Sequence, residues 1–101
     1  MTESEFARQV DDLARILGWE WAHFRPAQTA RGWRTPVEGP LGKGWPDRTF
    51  VRGSRLVFAE LKADKGTVTP DQARVLDVLS HVGETYLWHP ADIERIAEVL
   101  R

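Results

Sequence analysis

The sequence predicts a single mixed α/β domain over residues 1–101, with a mixed β-sheet flanked by helices in the order α-β-β-β-α-β-α. Three observations support this prediction. Apolar residues recur at helical spacing near both ends of the chain, two strand-like runs meet at Gly53-Ser54, and Thr69-Pro70 marks the start of a helix. The length of 101 residues and the apolar content of 42% fit one domain with one core.

The first third of the chain predicts one helix, one strand and a long loop. Residues 19–25 are rich in aromatic side chains and predict a strand with Trp19, Trp21 and His23 on one face. Residues 26–46 are rich in Pro, Gly and Arg and have no periodicity, so they predict a long loop. The helix covers about residues 3–17 and ends at Gly18, and its inner face is predicted to contain Phe6, Val10, Leu13, Ala14 and Leu17.

The middle of the chain predicts a β-hairpin. Residues 47–53 and 54–62 form two strand-like runs joined by a tight turn at Gly53-Ser54. The second run has apolar residues at both even and odd positions, which is typical of a central strand covered on both faces.

The last third predicts a helix, a strand and a terminal helix. Thr69 can cap the first of these helices, with Pro70 at its first position and Gln72 completing a capping box. A strand over residues 84–89 leads through Pro90 into the terminal helix. The inward residues are predicted to be Ala73, Leu76 and Leu79 on the first helix, and Ile93, Ile96, Ala97 and Leu100 on the second.

Composition excludes several classes of function. The absence of cysteine excludes disulfides and thiolate metal sites, and no apolar run approaches a membrane span of about 20 residues. A soluble intracellular protein that does not contact the membrane is therefore expected. The sequence has no phosphate-binding loop of the G-x-x-x-x-G-K-[ST] type, no setting for a serine triad, and no metal-ligand spacing among its histidines.

Three charged residues are predicted to meet at one edge of the sheet. Glu60 and Lys62 are two positions apart on a strand, so they share a face with Cα atoms roughly 7 Å apart. Asp47 is six residues before Gly53, and Glu60 is six residues after Ser54. Hairpin pairing therefore places Asp47 beside the strand end that contains Glu60 and Lys62.

Two carboxylates and a lysine suit phosphodiester chemistry. Carboxylate oxygens bind Mg²⁺ while leaving positions for water and phosphate oxygens, and the ion can make a bound water more acidic. Lys62 could then orient or deprotonate the attacking water, or stabilise charge on the phosphate. A solvated strand end is the alternative, because strand ends commonly lead into surface loops.

The segment "GWPD" at 44–47, followed by "ELK" at 60–62, resembles the PD-(D/E)XK nuclease superfamily. Lys43-Gly44-x-Pro46-Asp47, with Gln72 in the next helix, is most similar to its VRR-NUC branch. The resemblance covers almost the whole chain and implies a restriction-endonuclease-like core. It also implies that Asp47 and Glu60 bind Mg²⁺ or Mn²⁺, that Lys62 is the catalytic lysine, and that a glutamate of the first helix, best matched by Glu5, completes the acidic cluster.

Two of these residues have a second function that fits equally. Glu5 stands three residues after Thr2, so it can close a capping box instead of binding metal. Gln72 stands in the same relation to Thr69, so it can cap the helix, contact the site, or do both.

Basic residues concentrate near these motifs. They form a candidate phosphate-binding surface, with Trp33 and Trp45 either packing on bases and sugars or anchoring the loop to the core. The predicted nucleic-acid contacts are Arg25, Arg31, Arg34, Lys43, Arg48 and Lys65.

The resemblance implies a metal-dependent endonuclease that hydrolyses DNA. By this resemblance, the protein is expected to be structure-selective, acting on branched DNA such as a Holliday junction, and to form a homodimer, as small members of the branch often do. It is expected to work in the cytoplasm of a bacterium or a phage-infected cell. Two alternatives stay open. One is a nuclease-fold DNA-binding module without turnover, and the other is a small interaction domain whose exposed tryptophans dock a protein partner.

Overall fold

The computed structural model describes residues 1–24, 27–34 and 37–101. These residues form a mixed α/β fold with three α-helices, a four-stranded sheet and a separate two-stranded sheet. The elements are α1 (Glu3–Ile16), β1 (Glu20–Ala22), β2 (Ala27–Thr29), β3 (Gly32–Arg34), β4 (Arg48–Arg52), β5 (Arg55–Leu61), α2 (Pro70–Leu79), β6 (Glu84–Trp88), a 3-10 turn (Pro90–Asp92) and α3 (Ile93–Leu100). None of the helices in these ranges is long and apolar enough to cross a membrane.

The first helix begins and ends where the sequence predicted. Thr2 caps α1, and Leu17 and Gly18 end it, with Gly18 at a φ of 83° that favours glycine. Phe6, Val10 and Ala14 are buried, while Leu13 and Leu17 pack at the edge of the core. This apolar stripe fixes the side of α1 that lies against the sheet.

The main sheet has the strand order β1-β4-β5-β6. β1, β4 and β5 pair antiparallel, and β6 is parallel to β5. As predicted, β5 is central and its residues from Val57 to Leu61 are buried. β1 is shorter than the predicted strand over 19–25, and Trp21 and His23 are exposed although Trp19 is buried. β1 is an edge strand of the sheet and pairs with β4 alone among the described strands.

The predicted loop over 26–46 is wrong in one part, since β2 and β3 form a small antiparallel hairpin. Gly32 allows its turn, with a φ of 98°, and the Thr29 hydroxyl donates to the carbonyl of Gly32 over 2.7 Å. Each strand has only three residues. Strands this short and polar do not show the alternation by which a sequence predicts a strand.

Two apolar clusters cover the two faces of the sheet. The larger contains residues of α1, α3 and the central strands, and the smaller contains Phe58, Val75 and Leu79. The capped start of α2 is confirmed, but its predicted inner face is partly wrong: Ala73 is exposed and Val75 is buried. Of the predicted inner residues, Leu79 is confirmed as buried and Leu76 is half-buried.

The end of the sheet near the hairpin turn is closed by arginine and tryptophan. The Arg52 guanidinium donates to the carbonyls of Leu17, the C-cap residue of α1, and Leu100, the last residue of α3. It also lies 4.5 Å from the ring centre of Trp19, whose indole N–H donates to the Leu100 carbonyl over 2.7 Å. These contacts join α1 and α3 at the end of the sheet opposite Asp47 and Glu60.

Candidate active site

Asp47 and Glu60 lie side by side, because the hairpin has the register that the count from its turn predicted. The last ladder pairs are Arg52 with Arg55 at the turn and Arg48 with Ala59 at the far end. One position further, Asp47 faces Glu60. The Asp47 carboxylate accepts a hydrogen bond of 2.9 Å from the backbone N–H of Leu61, which fixes it against the end of β5.

Glu60 is a buried carboxyl group, 2% exposed, whose Oε2 atom has no hydrogen-bond partner among the described residues. Burial is the largest cause that raises the pKa of Glu60 to about 9, and the hydrogen bond and negative charge of Asp47 contribute to the same rise. The charge of Lys62 acts in the opposite direction on this pKa, and that of Glu3 raises it slightly. Without a cation, Glu60 is therefore protonated at neutral pH and shares its site with a second carboxyl group.

The loop before Asp47 is anchored by its own residues. Trp45 packs edge-to-face on Phe58, with ring centres 5.7 Å apart, and Pro46 is buried. Trp45 therefore anchors the loop to the smaller apolar cluster rather than facing a nucleic acid. For Trp33, the side chain lies outside the described part of the structure. The indole anchor sets the position from which Asp47 enters the sheet edge.

Gly44 brings this loop against the N-terminus of α2. Its φ is 105°, and a Cβ atom built on it would lie 2.6 Å from the backbone carbonyl of Asp71 and 2.8 Å from the amide nitrogen of Gln72. No side chain fits without separating the loop from the helix. Lys43 adds an exposed ion pair to Asp71, with Nζ and Oδ2 3.3 Å apart.

We expect Gly44→Ala to lower the free energy of unfolding by about 2 to 4 kcal/mol, since left-handed backbone strain is added to a steric clash. Urea denaturation measures the change. Gly39→Ala is the matched control, because Gly39 has a similar φ of 96° but no atom lies within 4 Å of its added Cβ. Equal losses in the two variants would show that contact with α2 contributes nothing.

Lys62 lies one residue beyond β5, and its backbone N–H continues the ladder by donating to the Trp88 carbonyl over 3.0 Å. Its side chain is half-buried. Gly66 lies against its aliphatic stem, since a Cβ on Gly66 would be 2.8 Å from the Cβ of Lys62. The lysine is therefore placed beside Glu60 by both the strand and the turn that follows it.

The first helix brings Glu3, rather than Glu5, to the site. Glu5 closes the capping box, accepting from the Thr2 amide over 3.1 Å while the Thr2 hydroxyl accepts from the Glu5 amide over 3.1 Å. Glu3 lines a cavity of about 400 Å³ beside Asp47 and His23. The sequence could not distinguish the two glutamates, because the choice depends on how α1 rotates against the sheet.

Arg48 corrects an expectation about the basic surface. Its guanidinium is buried and makes a bidentate ion pair with Asp11 of α1, with distances of 2.8 Å from Nε to Oδ1 and 3.0 Å from Nη2 to Oδ2. This pair holds α1 to the start of β4, beside Asp47. Arg48 is thus engaged in joining two elements and is not exposed to a phosphate.

The structure describes the side chains of three of the other predicted basic residues but not those of the remaining two. Arg31, Lys43 and Lys65 are exposed, and Lys65 follows Lys62 by three positions. Arg25 lies outside the described residues, as does the side chain of Arg34.

Gln72 serves as a helix cap. Its Oε1 atom accepts from the Thr69 amide over 2.9 Å, and its own amide donates to the Thr69 hydroxyl over 3.2 Å. The backbone of Gln72 also contacts Gly44, and Gly44 lies three positions before Asp47 in the chain. Gln72 therefore supports the loop that presents Asp47, and a direct contact with substrate stays a prediction.

The residues at the sheet edge fit a hard divalent cation in part. Asp47 and Glu60 supply adjacent carboxylates, and the Oε2 atom of Glu60 has no hydrogen-bond partner within the part of the chain that the structure describes. Mg²⁺ commonly takes only one or two carboxylates and fills its other positions with water and phosphate oxygens. Within residues 1–24, 27–34 and 37–101, no group of three His, Cys, Asp or Glu side chains is arranged to hold a metal ion by itself.

Sequence reasoning missed two histidines near the site. His23 follows β1 and lines the same cavity as Glu3, Asp47 and Arg48. His89 follows β6, and its Nε2 atom lies 2.7 Å from the carbonyl oxygen of Gly66. The signal for His89 was present, because it follows a strand that is parallel to β5 and ends at the same edge of the sheet.

Comparison with known proteins assigns no family to the chain. No family model, no curated protein and no solved structure matches it. The function is therefore inferred from the geometry of Asp47, Glu60 and Lys62 and from the resemblance of the motifs that contain them.

Proposed function

We propose that the protein is a metal-dependent endonuclease that hydrolyses DNA phosphodiester bonds and belongs to the VRR-NUC branch of the PD-(D/E)XK superfamily. The observation that supports this most is the pair formed by Asp47 and Glu60. Glu60 is buried beside a second carboxyl group, and its Oε2 atom has no hydrogen-bond partner among the described residues, so ionising both groups is unfavourable unless a nearby positive charge compensates it. A divalent cation supplies that charge.

Asp47 and Glu60 would hold the ion, with Glu3 as an additional carboxylate lining the same cavity as Asp47 and Glu5 as the one the resemblance implies. A bound Mg²⁺ or Mn²⁺ would polarise the phosphate and make an attacking water more acidic. The half-buried ammonium of Lys62 then orients that water or stabilises negative charge on the phosphate oxygens. Gln72 supports the site through the α2 cap and the loop packed on Gly44.

The arrangement of elements also supports a restriction-endonuclease-like core. A helix precedes three antiparallel strands of one sheet, and a helix then leads to a fourth strand parallel to the third. The Asp47 and Glu60 carboxyl groups lie at the end of the sheet where the second of these strands, β4, begins and the third, β5, ends. The β2–β3 hairpin is an insertion between the first two strands of this pattern.

DNA would bind through exposed basic residues. Arg31, Lys43 and Lys65 are exposed, and Arg25 and Arg34 are further members implied by the sequence. By the resemblance, the substrate is branched DNA such as a Holliday junction, cut by a homodimer in the cytoplasm of a bacterium or a phage-infected cell. Two symmetric sites would suit two strands of a symmetric junction.

Cleavage of a labelled four-way DNA junction tests this proposal, with linear duplex and single strand alongside, in Mg²⁺, Mn²⁺ or EDTA. We expect cutting in either metal, none in EDTA, and none by Asp47→Asn, which keeps the shape of the side chain but removes its charge. Asp77→Asn, at an exposed aspartate of α2, controls for the loss of one surface carboxylate. Absence of cutting by the wild type in both metals would contradict the proposal.

A second candidate is a nuclease-fold DNA-binding module without turnover. The lack of a third converging metal ligand among the described residues favours it. Such a module would bind the junction equally well in Mg²⁺ and EDTA, with strong dependence on salt. The same gel, run without denaturant, separates this outcome from cleavage.

A further inference from the structure

The turn that follows β5 folds back onto the side chain of Lys62. The Gly66 amide donates to the Ala63 carbonyl over 2.9 Å, which closes the turn. Gly66 then lies so close to Lys62 that an added Cβ would be 2.8 Å from the lysine Cβ and 3.4 Å from its Cδ. Only a residue without a side chain allows this contact. The backbone of Gly66 therefore limits the directions in which the lysine stem can point.

His89 holds this turn from the neighbouring strand. Its Nε2 atom lies 2.7 Å from the carbonyl oxygen of Gly66. A carbonyl oxygen only accepts hydrogen bonds, so Nε2 must bear the proton and donate it. The contact is possible because β5 and β6 are parallel and end together, with the Lys62 amide donating to the carbonyl of Trp88, the residue before His89.

Asp92 holds the histidine in turn. One of its carboxylate oxygens, Oδ2, accepts from the backbone N–H of His89 over 2.9 Å and lies 3.7 Å from the ring atom Nδ1. Pro90 begins the 3-10 turn that brings Asp92 back to the histidine. The Gly66 carbonyl at Nε2 and the backbone at the end of β6, which Asp92 holds, therefore determine the position of the His89 ring.

We propose that His89 is a positioning residue for Lys62, acting through the Gly66 carbonyl to hold the 63–66 turn against the lysine stem and direct its ammonium toward Glu60. The effect on cleavage rests on the nuclease function proposed above. The effect on the geometry of Lys62 does not depend on cleavage, and it is measured separately.

Two substitutions at His89 introduce the same carboxamide group on side chains of different length. The side-chain amide introduced by His89→Gln can reach the position of Nε2 and donate to Gly66, whereas the shorter side chain introduced by His89→Asn cannot. We expect His89→Asn to lower kcat about 10- to 100-fold with KM unchanged, since small displacements of a catalytic group have effects of this size. His89→Gln is expected to keep most of kcat, and His81→Asn, at an exposed histidine, to behave as wild type.

Lysine NMR tests the geometry without any substrate. The chain has three lysines, so ¹³C-labelled lysine gives three assignable Cε signals, from Lys43, Lys62 and Lys65. We expect the Lys62 signal alone to shift and to show faster internal motion in His89→Asn and in Gly66→Ala, and to stay near its wild-type position in His89→Gln.

The two proposals fail in different ways. If the wild type cuts no DNA but the Lys62 signal responds to His89→Asn as expected, the nuclease function falls and the positioning role stands. If the Lys62 signal and kcat are unchanged in His89→Asn, the positioning role is overturned. Should that variant fail to fold, the wild-type protein still decides, because a Lys62 side chain as mobile as that of Lys65 would overturn the proposal.

Discussion

Replacing Lys62 by alanine is expected to lower the turnover number for DNA cleavage about 10³-fold, which is the typical effect of removing a group that transfers a proton or stabilises charge in the transition state. Binding of Mn²⁺ should persist, because Asp47 and Glu60 are unchanged. Single-turnover cleavage of a labelled junction measures the rate, and the increase of the melting temperature in Mn²⁺ measures metal binding.

Lys65→Ala is the matched control for this variant. Lys65 is an exposed lysine three positions further along the chain, so the two substitutions remove the same charge from the same turn. We expect Lys65→Ala to weaken DNA binding most at low salt, because one phosphate contact is lost, and to leave the turnover number unchanged. If the two variants lose turnover equally, Lys62 acts only through the general field of the basic surface.

A further substitution separates two roles of Lys62. Arginine keeps the positive charge but does not give up its proton in a protein. Substantial activity in Lys62→Arg would indicate that the ammonium stabilises charge on the phosphate. Activity as low as in Lys62→Ala would indicate that the lysine handles the proton of the attacking water.

The sequence predicted the acidic pair because a hairpin register follows from its turn. Gly53 and Ser54 fix which residues face each other, so Asp47 and Glu60 could be matched by counting along the two strands. The capped start of α2 was equally predictable, since Thr69, Pro70 and Gln72 are neighbours in the chain. In both cases the deciding interactions are local or follow from a local turn.

Features that depend on packing between distant segments could not be predicted. Arg48 looked like an exposed phosphate contact, but its partner Asp11 is 37 residues away on a helix whose docking angle no local pattern shows. The exchange of Glu5 for Glu3 at the site depends on the same angle. The contact between His89 and Gly66 spans 23 residues and exists only because β5 and β6 are parallel.

Glu60→Gln is expected to make the metal-free protein more stable at alkaline pH, although it removes a residue of the candidate site. The pKa of the folded Glu60 is raised from its ordinary value of 4.5 to about 9. Between these values the folded protein keeps a proton that the unfolded chain has released. Stability is therefore fully present below about pH 4.5 and is lost progressively as the pH rises toward 9.

Glutamine keeps the neutral carboxamide form over this whole range. We expect Glu60→Gln to match the wild type near pH 4.5 and to unfold at higher urea concentration than the wild type at pH 8, in EDTA. Glu98→Gln, at an exposed glutamate of α3, is the control and should follow the wild-type curve. A wild-type pH slope in Glu60→Gln would show that the buried carboxyl group is not what makes the metal-free protein sensitive to pH.

Divalent cations should make the wild type, rather than Glu60→Gln, the more stable protein at alkaline pH. An ion held by Asp47 and Glu60 requires both carboxylates to be ionised, so its binding releases the Glu60 proton and becomes tighter as the pH rises. In the wild type, the increase of the melting temperature in Mn²⁺ should therefore grow between pH 6 and pH 9, and in Glu60→Gln it should be absent. Because the same carboxyl group destabilises the metal-free protein and binds the ion, loss of one effect without the other would separate burial of Glu60 from metal binding and contradict the proposed site.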